Sequence, residues 1–139
     1  MTGPDEVLIY CDGGARGNPG PAAIGAVVLD PTTDPPTRLA TVSERIGVAT
    51  NNVAEYRAVI AGLEAARPHH ARVARVRADS LLVVRQLQGA WKLKHPPLRP
   101  LFERARALLA EYEVVDLAHV PRELNTDADL LVNAALDQP

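Results

Sequence analysis

Residues 7–20 read Val-Leu-Ile-Tyr-Cys-Asp-Gly-Gly-Ala-Arg-Gly-Asn-Pro-Gly. An apolar run of strand character, Val7 to Cys11, ends on Asp12, and four glycines and a proline then fall within residues 13–20. Strand interiors disfavour aspartate, and burying a carboxylate is costly unless something positive accompanies it. Asp12 therefore reads as an acid kept in a sheet to bind a positive group. The glycine-rich segment after it reads as a turn that breaks the strand. The fold must then be one that brings other acids to the same point.

Working outward, residues 22–29 form a second strand and residues 38–46 a third. They are joined by a proline-containing loop at 30–37. Three strands this close in sequence make an antiparallel meander. The pattern then changes to helical spacing over residues 52–67, where Tyr56, Val59, Ile60 and Leu63 recur on one face. A short strand at 73–78 stops at Asp79, and a helix at 80–88 closes on Gly89. Leu98, Leu101, Phe102, Ala105, Leu108, Leu109 and Tyr112 mark the cleanest amphipathic helix. A fifth strand spans 114–119 and a last helix 125–136. Hairpin-linked strands followed by helical crossovers imply an α/β fold, a mixed sheet with helices on its faces.

The 139 residues suffice for one domain, 1–139, with a real core, and 47% apolar composition argues against disorder. No apolar run approaches the ~20 residues of a membrane helix. Residues 1–6 lack the basic and apolar stretches of a leader. Cys11 is the lone cysteine, so no internal disulfide forms. The reading is a soluble, cytoplasmic monomer without a membrane partner, with Cys11 a small apolar strand residue rather than a nucleophile. A net charge of −2 argues against a protein that coats nucleic acid indiscriminately. It leaves room for local basic patches at Arg16, Lys92, Lys94, Arg99 and Arg122.

Three further acids are placed to meet Asp12. Asp79 ends the fourth strand, where open sheets bind ligands. Glu55 lies early in its helix on the stripe of Val59, Gly62 and Ala66, and Asp129 lies early in the last helix in line with Val132 and Leu136. Each has a structural alternative. Glu55 can complete a cap with Asn52, Asp129 can do so with Thr126, and Asp79 can open a turn capped by Ser80. Asp127 competes with Asp129. Four carboxylates at one point repel by roughly 4 kcal/mol per pair at about 4 Å and an effective dielectric of about 20. Protonation or divalent cations must relieve that. Oxygen-only donors suit Mg²⁺ or Mn²⁺. Two such ions about 4 Å apart form a clamp for hydrolysis of a phosphodiester.

These residues closely resemble the four motifs of the type 1 ribonucleases H, enzymes that cut the RNA strand of RNA–DNA hybrids. Residues 12–21, 50–56, 79–80 and 119–129 match them in order, across nearly the whole chain. The resemblance implies the ribonuclease H-like fold, a five-stranded mixed sheet of order 3-2-1-4-5 with helices on both faces. It implies a Mg²⁺-dependent endoribonuclease, Mn²⁺ also serving, that uses two metal ions and leaves 5′-phosphate and 3′-hydroxyl ends. Asp12, Glu55, Asp79 and Asp129 take the metal-ligand positions, with Asp129 chosen over Asp127. His119 takes the place of a histidine that handles protons or product release, in a loop near the end of the fifth strand.

A 2′-hydroxyl both donates and accepts hydrogen bonds and so marks RNA. The resemblance places Asn18, Asn51 and Asn52 as its readers and Thr50 as a DNA-phosphate contact. Trp91 becomes a surface for a DNA sugar, with core filler as its alternative and Lys92 beside it. Gly14, Arg16, Ser80 and Asn125 complete the expected substrate contacts, and amides of residues 13–17 can face phosphate. Two departures stand out. Residues 89–97 are short where many relatives carry a basic, Trp-rich handle, and Leu81 stands where a glutamine often follows the third acid. The short handle implies weaker substrate affinity and stronger salt sensitivity. A binding module without catalysis, a transposase-like or junction-cleaving nuclease and a carboxylate-pair glycosidase are the alternatives.

Overall fold

Alternation along the first strand, β1 (Glu6–Ala15), sorts the molecule into layers. Val7, Ile9 and Cys11 are fully buried on one face, while Leu8, Tyr10 and Asp12 take the opposite phase. The computed structural model describes residues 3–139. β1 is the centre of a five-stranded sheet with β2 (Gly20–Asp30), β3 (Thr37–Ala49), β4 (Val73–Ala78) and β5 (Val114–His119). The spatial order is β3-β2-β1-β4-β5. β1 pairs antiparallel with β2, and β2 with β3; β1–β4 and β4–β5 are parallel. The mixed sheet and the order 3-2-1-4-5 are those expected.

Four helices cover the sheet: α1 (Asn51–Ala66), α2 (Leu81–Leu87), α3 (Arg99–Leu109) and α4 (Thr126–Leu136). The main core joins Val7, Ile9 and Cys11 of β1 to Tyr56, Val59 and Leu63 of α1, with Val83 of α2 and Leu108 of α3. The other face holds a smaller cluster of Ala23, Val132 and Ala135 beneath α4. α4 packs on β1, β2 and β3. On the same face of β4, Arg75 lies between Glu6 at 3.2 Å and Asp116 at 3.0 Å, and Arg77 meets Asp116 at 2.8 Å.

Several boundaries differ from the sequence reading. β1 does not break after Asp12: Gly13, Gly14 and Ala15 continue the ladder opposite Ile24, Ala23 and Ala22. The glycines there serve close packing, and the turn shrinks to residues 16–19. β3 extends to Ala49 past a register shift at Ala22/Ala23, where Ile46 faces no residue of β2. α1 starts at Asn51, because Thr50 rather than Asn52 is its cap and accepts the Val53 N–H at 3.2 Å. α3 ends at Leu109, where the N–H groups of Glu111 and Tyr112 turn back onto Leu108 and Leu109. α4 starts at Thr126, so Thr126 is not the cap it was paired with Asp129 to form.

Two glycines set how near the helices come. A Cβ at Gly13 would fall on the carbonyl oxygen of Ala54 and 2.6 Å from the Glu55 nitrogen, so α1 rests directly on β1. A Cβ at Gly25 would strike the Ala128 carbonyl oxygen and lie 2.9 Å from Leu131 Cβ, so α4 rests directly on β2. Gly25 is the ladder partner of Asp12. At Gly14 the nearest atom is Val132 Cγ1 at 3.9 Å, which is ordinary contact. Gly25→Ala and Gly13→Ala are each expected to lower unfolding stability in urea by about 2–3 kcal/mol. Gly14→Ala should stay within about 0.5 kcal/mol of the parent. Equal midpoints for all three would show that the helices can retreat without loss.

Candidate active site

Strand register brings the first two acids together. Cys11 pairs with Ala78 across the parallel β1–β4 ladder, so the next residues, Asp12 and Asp79, leave the sheet side by side. α1 adds the third: its contact at Gly13 sets Glu55 over the end of β1, and the Glu55 carboxylate accepts the Gly13 N–H. Carboxylate oxygens of Asp12, Glu55 and Asp79 all lie within 4.8 Å of one another. Asp129, carried over β2 by α4, lines the same cavity of about 550 Å³ and hydrogen-bonds the Asp12 carboxyl. Asp127 points elsewhere, to Arg38 at 3.4 Å.

The electrostatics follow from this crowding. Asp12 is 6% exposed. Burial, then the charge of Asp79, pushes its carboxyl up to about 8. Glu55 is raised well above the carboxylate range, first by burial and then by Asp12 and Asp79, with the Gly13 N–H opposing. Burial, with Glu55 and Asp12 beside it, also raises the Cys11 thiol, which leaves it inert as a nucleophile. A buried, mutually repelling, oxygen-only donor set fits a hard divalent cation such as Mg²⁺ or Mn²⁺.

Gly14, Arg16 and Asn51 line this cavity as well. Asn51 accepts the Ala15 N–H through Oδ1 at 2.9 Å, and Asn18 accepts the Asn51 N–H through Oδ1 at 3.0 Å. These two bonds sew the start of α1 to the β1–β2 turn. Arg16 is held by Asp137 at 2.7 Å and Asn133 Oδ1 at 3.4 Å. Arg122 stands 3.5 Å from Asp129. Asn133 and Val132 also line the cavity; the sequence reading missed them, and nothing in their identity or spacing announces it.

Asn52, Trp91 and Lys92 meet at a second cavity of about 470 Å³. Trp91 is 45% exposed, which removes its reading as core filler. Behind it lies a residue the sequence reading passed over. Buried Gln86 accepts the Tyr56 hydroxyl through Oε1, and its Nε2 donates to the Lys92 carbonyl at 3.3 Å. The signal was a polar residue on the buried stripe of Val83 and Leu87.

The remaining expected residues fall differently. Ser80 caps α2, accepting the Val83 N–H at 3.3 Å. His119 is the last residue of β5 rather than part of a loop. It is exposed and opposite Ala78, one residue before Asp79. Asn125, expected at the substrate, is instead 1% exposed and donates to the Cys11 carbonyl at 2.8 Å. Its amide is spent on the β1 backbone, which removes it from the contacts a ligand can reach.

A carboxyl raised on folding binds its proton more tightly in the folded state. Its contribution is therefore greatest below the unfolded value and is lost as pH rises through the folded one. For Asp12 that window runs from 3.8 to about 8. In EDTA, the melting temperature should fall across this window. Mg²⁺ should restore roughly 3–6 °C at the alkaline end and little at the acid end. Asp12→Asn should flatten both responses in thermal melts. A melting temperature indifferent to pH and cation in the parent would contradict this account of the cluster.

The family described as reverse transcriptase-like matches residues 10–135. The N-terminal RNase H domain of Rv2228c from Mycobacterium tuberculosis is 52% identical and superposes with a TM-score of 0.90, covering 95% of this chain and 99% of that one. RNase H1 of Halobacterium salinarum is 46% identical at a TM-score of 0.89, over 95% and 98% of the two chains. LC11-RNase H1, solved with an RNA/DNA hybrid, is 43% identical at 0.84, over 94% and 96%. The chain spans 36% of the full length of the bifunctional Mycobacterium tuberculosis protein and 65% of the Halobacterium ribonuclease HI. With the sheet order, the acid cluster and this match over nearly all of its length, the chain belongs to the reverse transcriptase-like family of RNase H-like domains.

Proposed function

We propose that this protein is an endoribonuclease that hydrolyses the RNA strand of RNA–DNA hybrids, leaving 5′-phosphate and 3′-hydroxyl ends. The observation that carries the reading is the convergence of Asp12, Glu55 and Asp79 within 4.8 Å, with Asp129 in the same cavity. Binding a polyanion gains nothing from four acids unless cations join them. The kinship with Halobacterium ribonuclease HI and with a hybrid-bound RNase H1 supports the substrate class. The protein acts as a cytoplasmic monomer, of the type 1 branch without the basic protrusion. In support, residues 89–95 here carry no helix, and among the described residues no helix is long and apolar enough to cross a membrane.

Two divalent cations, Mg²⁺ or also Mn²⁺, would supply the Lewis acidity that activates a water and stabilises the departing 3′ oxygen. The four carboxylates hold the cations and exclude other partners from the point of attack. Asn51 and Asn18, locked to each other and to the Ala15 amide, present the turn at 16–19 toward a minor groove whose 2′-hydroxyls mark RNA. Gly14 leaves room for a phosphate near the strand. Thr50 and Ser80, both helix caps, keep their hydroxyls near the surface for phosphate contact while holding α1 and α2. Trp91 offers a face for the DNA strand, with Lys92 and Lys94 beside it. His119, one residue across from Asp79, is the group that takes up or releases a proton as product leaves.

A labelled hybrid mixed with the protein and Mg²⁺ or Mn²⁺ should lose its RNA strand and keep its DNA strand. RNA left intact with both metals, or duplex DNA cut equally well, would overturn the proposal. Asp12→Asn should fold and lose activity by at least roughly 10³-fold.

Trp91→Ala should raise KM for the hybrid about fivefold to tenfold with kcat little changed. Steady-state kinetics at two salt concentrations reads this directly. An unchanged KM would remove the second cavity from the substrate path.

A further inference from the structure

Asn125 stands immediately before α4, and its Nδ2 donates to the Cys11 carbonyl oxygen at 2.8 Å. A carbonyl partner accepts only from the NH₂ end of the amide, so the orientation is fixed. Oδ1 is left buried without a hydrogen-bond partner. Two features of this arrangement run against stability. An asparagine at a helix start ordinarily turns its side-chain oxygen to a first-turn N–H, yet α4 begins with no side-chain cap bond. A buried acceptor without a donor is also unfavourable. A residue kept for helix stability would cap; this one forgoes the cap and leaves an acceptor unpaired to keep one donor on Cys11.

The bond joins two particular points. Cys11 is the residue before Asp12. The backbone carbonyl of Asn125 accepts the Asp129 N–H at 3.1 Å. One acid therefore connects to the other through a peptide unit, one amide side chain and one helical hydrogen bond. No other side-chain hydrogen bond among the described residues ties the β1 backbone to the start of α4. Elsewhere α4 meets the central strands by packing, over Gly25. Packing permits sliding, whereas a directed bond of this length does not.

We propose that Asn125 is a positioning residue that sets Asp129 against Asp12 through its Nδ2 donor, and that it is not a helix cap. This rests on the reading that the two acids act together. The test replaces the donor while keeping or improving the cap, with Asn125→Ser and Asn125→Asp. Both are good cap residues; serine is too short to reach Cys11, and an ionised aspartate has no donor. Both variants should keep the parent's circular dichroism and melt within a few degrees of it. Their kcat on a labelled hybrid should fall roughly 100-fold, with KM within about twofold. Calorimetric titration of the substrate-free protein with Mn²⁺ should show affinity weakened roughly tenfold.

Parent-like kcat and Mn²⁺ affinity in either variant would overturn the proposal. So would a loss of activity no larger than the loss of folded fraction by circular dichroism. If the parent itself left hybrids uncut, the ribonuclease reading would fall. The Mn²⁺ titration would still decide the role of Asn125, since the variants must bind the ion less well than the parent.

Discussion

The site depends on how closely two helices approach the middle of the sheet, and that approach is permitted by missing side chains on either side of Asp12. Gly13 follows it in β1, and Gly25 faces it in β2. At each, backbone of a helix occupies the place a Cβ would take. α1 thereby brings Glu55 to the end of β1, and α4 brings Asp129 over β2. The parallel register of β1 with β4 supplies Asp79 without further help. Side-chain chemistry comes second here; the geometry is decided by where the backbone can be touched.

The same closeness sets an energetic conflict. The core around Val7, Ile9 and Leu63 is dry and well filled, while one strand position away Asp12 and Glu55 are held against burial and against each other. Functional sites commonly hold groups the fold would otherwise reject. In this chain the surrounding bonds resist the strain: Asn51 and Asn18 fix the turn, Gly13 N–H supports the Glu55 carboxylate, and Asn125 anchors Cys11. Gln86 does comparable work further out, joining Tyr56 of α1 to the backbone at Lys92 and so fixing the segment that displays Trp91.

The sequence made most of this legible because the informative residues are types that bland structure avoids. An aspartate closing an apolar run, and acids at the starts of helices with apolar stripes, point inward by periodicity alone. The strands and helices followed from alternation and from Gly and Pro punctuation. Failures came where one residue type serves two ends. Gly13 and Gly14 read as a turn because glycine breaks strands, yet they lie in one, serving contact with α1 and the cavity. Asn125 read as a substrate contact because its amide suits a hydroxyl, yet the same amide suits a backbone carbonyl. Thr50 and Asn52 are both acceptable caps, and only the path of the chain decides between them. Gln86 was invisible because a polar residue in a helix is ordinarily exposed. Asn133 enters the cavity only because α4 runs at the angle that Gly25 allows.

Charge balance explains why the cavity needs cations before it can accept a polyanion. Four acids line it against two arginines, Arg16 and Arg122. Arg16 is already paired with Asp137 at 2.7 Å, and Arg122 lies 3.5 Å from Asp129. The remaining field is negative, and the chain as a whole carries −2. A phosphate approaching this opening meets repulsion that no surface salt bridge offsets. Attraction must come from ions held by the carboxylates and from the separate patch of Lys92 and Lys94 beside Trp91. The two cavities therefore divide the task. One gathers cations and repels bare phosphate, and the other draws the backbone of a strand by charge and stacking. A substrate long enough to reach both gains from the second what the first withholds until its ions are in place.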